Sequence, residues 1–136
     1  MDYGKPVLEL KNDKGQVTVY RPKPEVVVVV SVGFLTTDLW TQQVPFYEQV
    51  FKEVKAIHLF RDAGEVRSFE PDYRTGQQNF GKRHKDRFIE VLFHQKSALL
   101  AMAINASKLF TGANVSAVNR EAFDRRLGEV MKAKAA

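Results

Sequence analysis

The chain has 136 residues, 44% of them hydrophobic and 27% charged, enough for one domain with its own core and too apolar for intrinsic disorder. It has no cysteine, which excludes disulfides and thiolate metal sites and fits a reducing cytoplasm. The net charge of +5 is compatible with nucleic acid or an anionic surface, but much of the excess lies in Lys82-Arg83-His84-Lys85-Asp86-Arg87 and in Lys132 and Lys134. These segments read as solvated helix ends, where cations complement the macrodipole.

The N-terminus, MDYGKPVLEL, has no basic region followed by an apolar core, so no signal peptide is expected and the expected location is the cytoplasm. Val7–Lys11 and Gln16–Tyr20 alternate around the turn residues Asn12 to Gly15, a β-hairpin pattern. Pro22 and Pro24 should close the hairpin with an extended connector, because proline lacks the donor that a ladder needs. Next comes EVVVVVSVG, Glu25 to Gly33. This short β-branched run without alternation suits a strand buried on both faces, and it is far shorter than the roughly 20 apolar residues of a membrane span.

Thr36 or Thr37 is a plausible N-cap for a helix running to about Val54, with Asp38 in its first turn. Leu39, Trp40, Val44, Phe46, Tyr47, Val50, Phe51 and Val54 share one face at helical spacing, and Pro45 should kink the helix or start a new turn. Such an aromatic stripe reads as core rather than as a ligand pocket. Ala56–Phe60 reads as the next strand, which makes a βαβ unit with a right-handed crossover. Arg61 to Gly64 should end it and Glu65–Phe69 should be a loop or short extension. Pro71 suits the first position of a second helix, to about Arg87. That helix is polar, is weakened by Gly76 and Gly81, and is expected to cover the sheet poorly.

Phe88–Phe93 reads as a third core strand, and Ser97 can cap a third helix, Ala98 to Phe110. Leu99, Met102, Ala106, Leu109 and Phe110 form one face of it, while Leu100 and Ile104 lie opposite beside Ser107. That is the pattern of a helix covered on more than one side. Gly112 ends it. Asn114–Asn119 is a weaker strand, and Asn119 can cap a closing helix carrying Phe123, Leu127, Val130 and Met131. No repeat or interdomain linker is visible, so residues 1–136 read as a single α/β domain with a mixed β-sheet, an N-terminal hairpin plus parallel strands, and about four helices.

From Val7 to Met131 this element order resembles the STAS-like group, the fold of anti-sigma-factor antagonists and of the cytosolic domains of sulfate transporters. The resemblance rests on the apolar strand leading into helix one, on Ala56-Ile-His-Leu-Phe-Arg-Asp62 with its following loop and helix, and on the short last strand and closing helix. Ser97-Ala-Leu-Leu-Ala-Met-Ala-Ile104 followed by Asn119-Arg-Glu-Ala-Phe123 is similar to STAS-like bacterial proteins of unassigned role. In the phosphoregulated antagonists a Ser or Thr at the start of the helix after the second parallel strand is phosphorylated by a partner kinase. The aligned position here is Pro71 or Asp72, without a hydroxyl; Ser68 precedes it and Thr75 lies in the first turn. The resemblance therefore implies a candidate regulatory loop with Asp62, Ser68, Asp72 and Thr75. Either the switch is absent, or Asp72 supplies a fixed charge, or a neighbouring hydroxyl serves; the plainer reading is that Asp72 offsets the helix dipole.

The chemistry visible in the sequence is sparse. His58, His84 and His94 lack ligand spacing, so no metal site is expected, and no cofactor motif is present. His58 reads as a hydrogen-bonded sheet residue. His94 and Asp62 fall at carboxyl ends of parallel strands, where ligands bind in such sheets, and form a candidate ligand rim. They could act as an acid–base pair, yet no nucleophile, phosphate loop or paired-carboxylate motif accompanies them. The expectation is a non-enzymatic regulatory or scaffolding domain acting through protein–protein contacts and self-associating, of a kind suited to bacterial signalling. Its candidate interface is Leu100, Ile104 and Ser107. The alternative is binding of a small apolar or anionic ligand at the rim; nucleic acid through Lys82 to Arg87 is a weaker reading, and no membrane insertion is expected.

Overall fold

The computed structural model describes residues 3–96 and 115–133. Among the described residues six strands form one sheet in the order β1 (Pro6–Lys11), β2 (Gly15–Lys23), β3 (Val26–Leu35), β4 (Ile57–Phe69), β5 (Phe88–His94) and β6 (Val115–Val118). β1, β2 and β3 pair antiparallel, whereas β3 through β6 run parallel. Helices α1 (Thr37–Thr41), α2 (Val44–Glu53) and α3 (Pro71–Arg83) pack on one face, and α4 (Arg120–Lys132) on the other.

The valine run is the point where the two layers meet. Val27 and Val29 enter the core under α1 to α3, while Val26 and Val28 enter the core under α4. All four are at most 1% exposed, and burying each contributes about 1.5–3 kcal/mol. With helices on both sides, neither parity faces water from Val26 to Val29, which explains why the sequence there does not alternate; farther along, Val32 is exposed.

Several expectations are corrected. Pro22 does not end the hairpin: β2 continues to Lys23, with an irregularity between Tyr20 and Lys23 that accommodates the missing donor. Helix one is two helices, because after α1 the chain re-enters a helix at Val44 with Pro45 in its first turn. The apolar phase survives the break, and all eight predicted face residues join the same core cluster. Thr36 occupies the N-cap position of α1, yet its hydroxyl turns to Asp38. The Thr37 N–H donates instead to Glu70 Oε1 at 2.7 Å, so a residue brought by the fold supplies the cap.

The largest difference is β4, which extends through the whole stretch expected to be loop. Its partner β3 also runs past Gly33 to Leu35, and their pairing continues to Leu35 opposite Phe69. Backbone groups that a loop would leave to water are thereby satisfied within the ladder. Helix α3 is not a poor cover either, since Tyr73 and Phe80 are 3% and 5% exposed and belong to the core. The expected Arg87 end of that helix is a separate 3-10 turn, Lys85–Arg87. Asn119 caps α4 as expected, its Oδ1 accepting the Ala122 N–H at 2.8 Å.

Candidate functional site

The parallel strands deliver Asp62, His94 and Val118 to one rim. Asp62 is the register partner of His94, and His94 that of Val118. Both ionisable side chains lie on the α4 face, where alternation along β4 and β5 directs them. Arg120, the first residue of α4, reaches back so that its Nη2 donates to Asp62 Oδ2 at 2.8 Å, and the Gly64 N–H donates to Oδ1 at 3.2 Å. His94 is 8% exposed, its Nδ1 stands 3.3 Å from the Val118 carbonyl, and its ring centroid lies 6.3 Å from that of Phe123. Gly64 closes against it: a β-carbon there would lie 3.0 Å from the His94 ring. Tyr3 joins the rim, packed on Tyr20 at 5.2 Å, and burial followed by the Asp62 and Asp124 charges pushes its phenol pKa up.

The structure thus brings Asp62 and His94 side by side but gives each its own partner. Asp62, expected at a strand end, lies midway along β4, because that strand continues to Phe69; the cluster ties this point and the end of β5 to the start of α4, and Arg120 is its exposed cation, with Asp124 3.6 Å away. The other residues of the expected regulatory loop fall elsewhere. Asp62 and Ser68 both stand on β4, separated by roughly 20 Å of strand. Ser68 is exposed near the strand end, and exposed Asp72 and Thr75 lie on the first turns of α3. Ser68, Asp72 and Thr75 therefore mark the β4–α3 junction, apart from the Asp62 rim. Leu100, Ile104 and Ser107, like the whole stretch from Ser97 to Asn114, lie outside the described residues.

Two polar clusters went unread in the sequence. Near the amino ends of the strands, Arg126 Nε donates to Glu90 Oε1 at 2.9 Å and its Nη2 to Oε2 at 2.8 Å, and His58 Nδ1 lies 2.6 Å from the same Oε2. Burial alone would raise the Glu90 pKa, but the Arg126 and His58 hydrogen bonds outweigh it and hold the carboxyl below its usual range. His58 is thus the hydrogen-bonded sheet residue expected of it. A lone acid inside FIEVLF was the available signal for Glu90, because an acid in a core strand requires a partner.

On the opposite face, Gln43 is fully buried; its Nε2 donates to the Leu39 carbonyl at 2.9 Å and to the Tyr73 hydroxyl at 3.0 Å, and the Tyr47 hydroxyl donates to its Oε1 at 3.2 Å. Burial raises both phenol pKa values, opposed by the Arg61 charge. Arg61 stacks its guanidinium 5.2 Å from the Phe93 ring.

The basic segment is divided in its use. Lys82, Arg83 and Lys85 are exposed. Arg87 instead closes the end of α2, donating to the Phe51 carbonyl, to the Val54 carbonyl at 2.9 Å and to the Lys55 carbonyl at 2.6 Å. His84 packs 4.4 Å from the Phe80 ring, and burial, then Arg83 and Arg87, lower its imidazole pKa. Among the described residues no three of His, Cys, Asp or Glu stand grouped to hold a metal ion. Nor is any described helix long and apolar enough to cross a membrane.

No protein-family model matches the chain, and no curated protein matches it. Among solved structures it is similar to an uncharacterized protein from the DUF3478 family with a SpoIIAA-like fold, from Shewanella loihica PV-4. The TM-score is 0.67 at 17% identity, over 87% of this chain and 98% of that one. The fold is accordingly SpoIIAA-like, in agreement with the STAS-like resemblance.

Proposed function

We propose that this domain is a non-enzymatic regulatory or scaffolding module that acts through protein contact, including contact with a second copy of itself. The observation that carries the reading is the commitment of the rim: Asp62 is held by Arg120 and the Gly64 N–H, and His94 faces the Val118 carbonyl. Groups engaged in this way position structure, and what they present outward is shape and charge. The exposed trio Ser68, Asp72 and Thr75 at the β4–α3 junction offers a second polar contact surface, where a phosphate would add charge beside a helix start. Use in bacterial signalling fits such a device.

Sedimentation velocity of the purified full chain over a hundredfold concentration range tests the self-association. A sedimentation coefficient that rises with concentration is expected; a constant monomer value throughout would remove it. Native mass spectrometry of freshly purified protein addresses the rival class, because a retained small molecule would favour ligand binding over contact.

A further inference from the structure

We propose that the free edge of β1 is the self-association surface, pairing antiparallel with β1 of a second copy about a two-fold axis at Leu10. This specifies the protein-contact reading above and rests on it. Among the described residues strand β1 ends the strand order, and Val7, Glu9 and Lys11 are exposed along it.

The turn fixes which backbone groups are free. The Asn12 N–H donates to the Gly15 carbonyl at 3.1 Å, so that pair is hydrogen-bonded. Antiparallel pairs alternate, so Leu10 with Val17 and Leu8 with Val19 are the next hydrogen-bonded pairs. The N–H and C=O groups of Glu9 and Lys11 therefore point off the edge. A second β1 can use them only in registers that set odd positions against odd positions.

Charge then selects among those registers. Centring the pair on Glu9 opposes two glutamates, and centring it on Lys11 opposes two lysines. Centring it on Leu10 sets each Glu9 against Lys11 of the other copy, twice, on one face of the joined sheet. Leu10 meets Leu10 on the opposite face, extending the core side of the sheet. Edge charges protect a strand when like charges would meet; here the alternating signs leave one attractive register among those that oppose charged residues of β1 itself. Two copies so joined form a continuous twelve-stranded sheet with a closed two-fold interface.

The short edge implies a weak dimer, with Kd on the order of 100 µM. Sedimentation equilibrium of the full chain up to about 1 mM, with circular dichroism to verify folding, provides the test. Lys11→Glu should weaken the dimer about tenfold or more, since like charges then meet at both crossings. Glu9→Lys should do the same, and the double exchange Glu9→Lys with Lys11→Glu should restore the wild-type constant. Rescue by the double exchange supports this register. Dimerisation unaffected by the single reversals, or reversals not rescued by the exchange, overturns the edge while leaving self-association through another surface standing. A wild-type chain that stays monomeric to 1 mM overturns both.

Discussion

Gly76 lies directly against the Trp40 indole: a β-carbon at Gly76 would stand 2.4 Å from Trp40 Cδ1 and 2.5 Å from Nε1. Trp40 is 4% exposed, with its ring centroid 5.5 Å from that of Phe80 and 6.3 Å from that of Tyr73, so the indole has nowhere to retreat. Gly76→Ala should therefore lower stability by about 1–3 kcal/mol, overriding the gain of about 1 kcal/mol that alanine brings to a helix. Gly81, on the same helix, has open space around the same position, and Gly81→Ala should stabilise by about 0.5–1 kcal/mol. Urea midpoints of the two variants should move in opposite directions.

The Glu90 cluster makes stability depend on acidity. Its carboxyl pKa is lower in the folded chain than in the unfolded one, so the unfolded state takes up a proton first as pH falls. The contribution is full above the unfolded carboxylate range near pH 4.5 and is lost as pH drops through the folded value. Glu90→Gln should cost about 1–2 kcal/mol at pH 7, discounted because Arg126 is partly exposed, and the deficit should shrink towards pH 3. Thermal melts of both proteins at the two pH values measure it. A deficit that grows on acidification would contradict the assignment.

Arg87 is held by three carbonyls at the end of α2, and its guanidinium lies 4.7 Å from the Phe51 ring. Arg87→Ala should destabilise by about 1–2 kcal/mol, because the partly buried Phe51 and Val54 carbonyls lose their donor. Exposed Lys85→Ala, two residues away, should stay within about 0.5 kcal/mol of wild type. Equal losses in the two variants would show that Arg87 is as free as its neighbour. The nucleic-acid reading predicts salt-sensitive retention on DNA at low salt. It would rely chiefly on Lys82, Arg83 and Lys85, since Arg87 turns its Nε and Nη2 donors to carbonyls.

At Gly33 the backbone has φ +85°, and an added β-carbon would stand 2.7 Å from the Lys14 carbonyl oxygen. Gly33→Ala should cost about 1–3 kcal/mol through left-handed strain and that clash. Denaturant melts should show a lower midpoint with an unchanged slope; no change in midpoint would show that this position of β3 tolerates a side chain.

The alternation of Val7–Lys11 and Gln16–Tyr20, the unbroken valines of β3, the apolar face from Leu39 to Val54 and the Asn119 cap are local properties. Periodicity and capping chemistry are written in neighbouring residues, so the sequence alone determined them, and with them a mixed sheet covered on both faces. It also marked His94 as a strand-end residue, whereas Asp62, expected at a strand end too, lies midway along β4, where the pairing with β5 stops. Their partners were a different matter. That Arg120 would hold Asp62, Arg126 would hold Glu90, Glu70 would cap α1 and Arg87 would close α2 depends on residues 32 to 58 positions apart meeting after the layers pack. The same holds for β4, whose polar second half looked like a loop and became strand because β3 offered a ladder to continue along, and for Gly76, whose cost to its helix is repaid only by an indole from another one. Hydrogen bonds and close contacts between distant residues obey geometry that no local pattern encodes, and only the tertiary structure decided them.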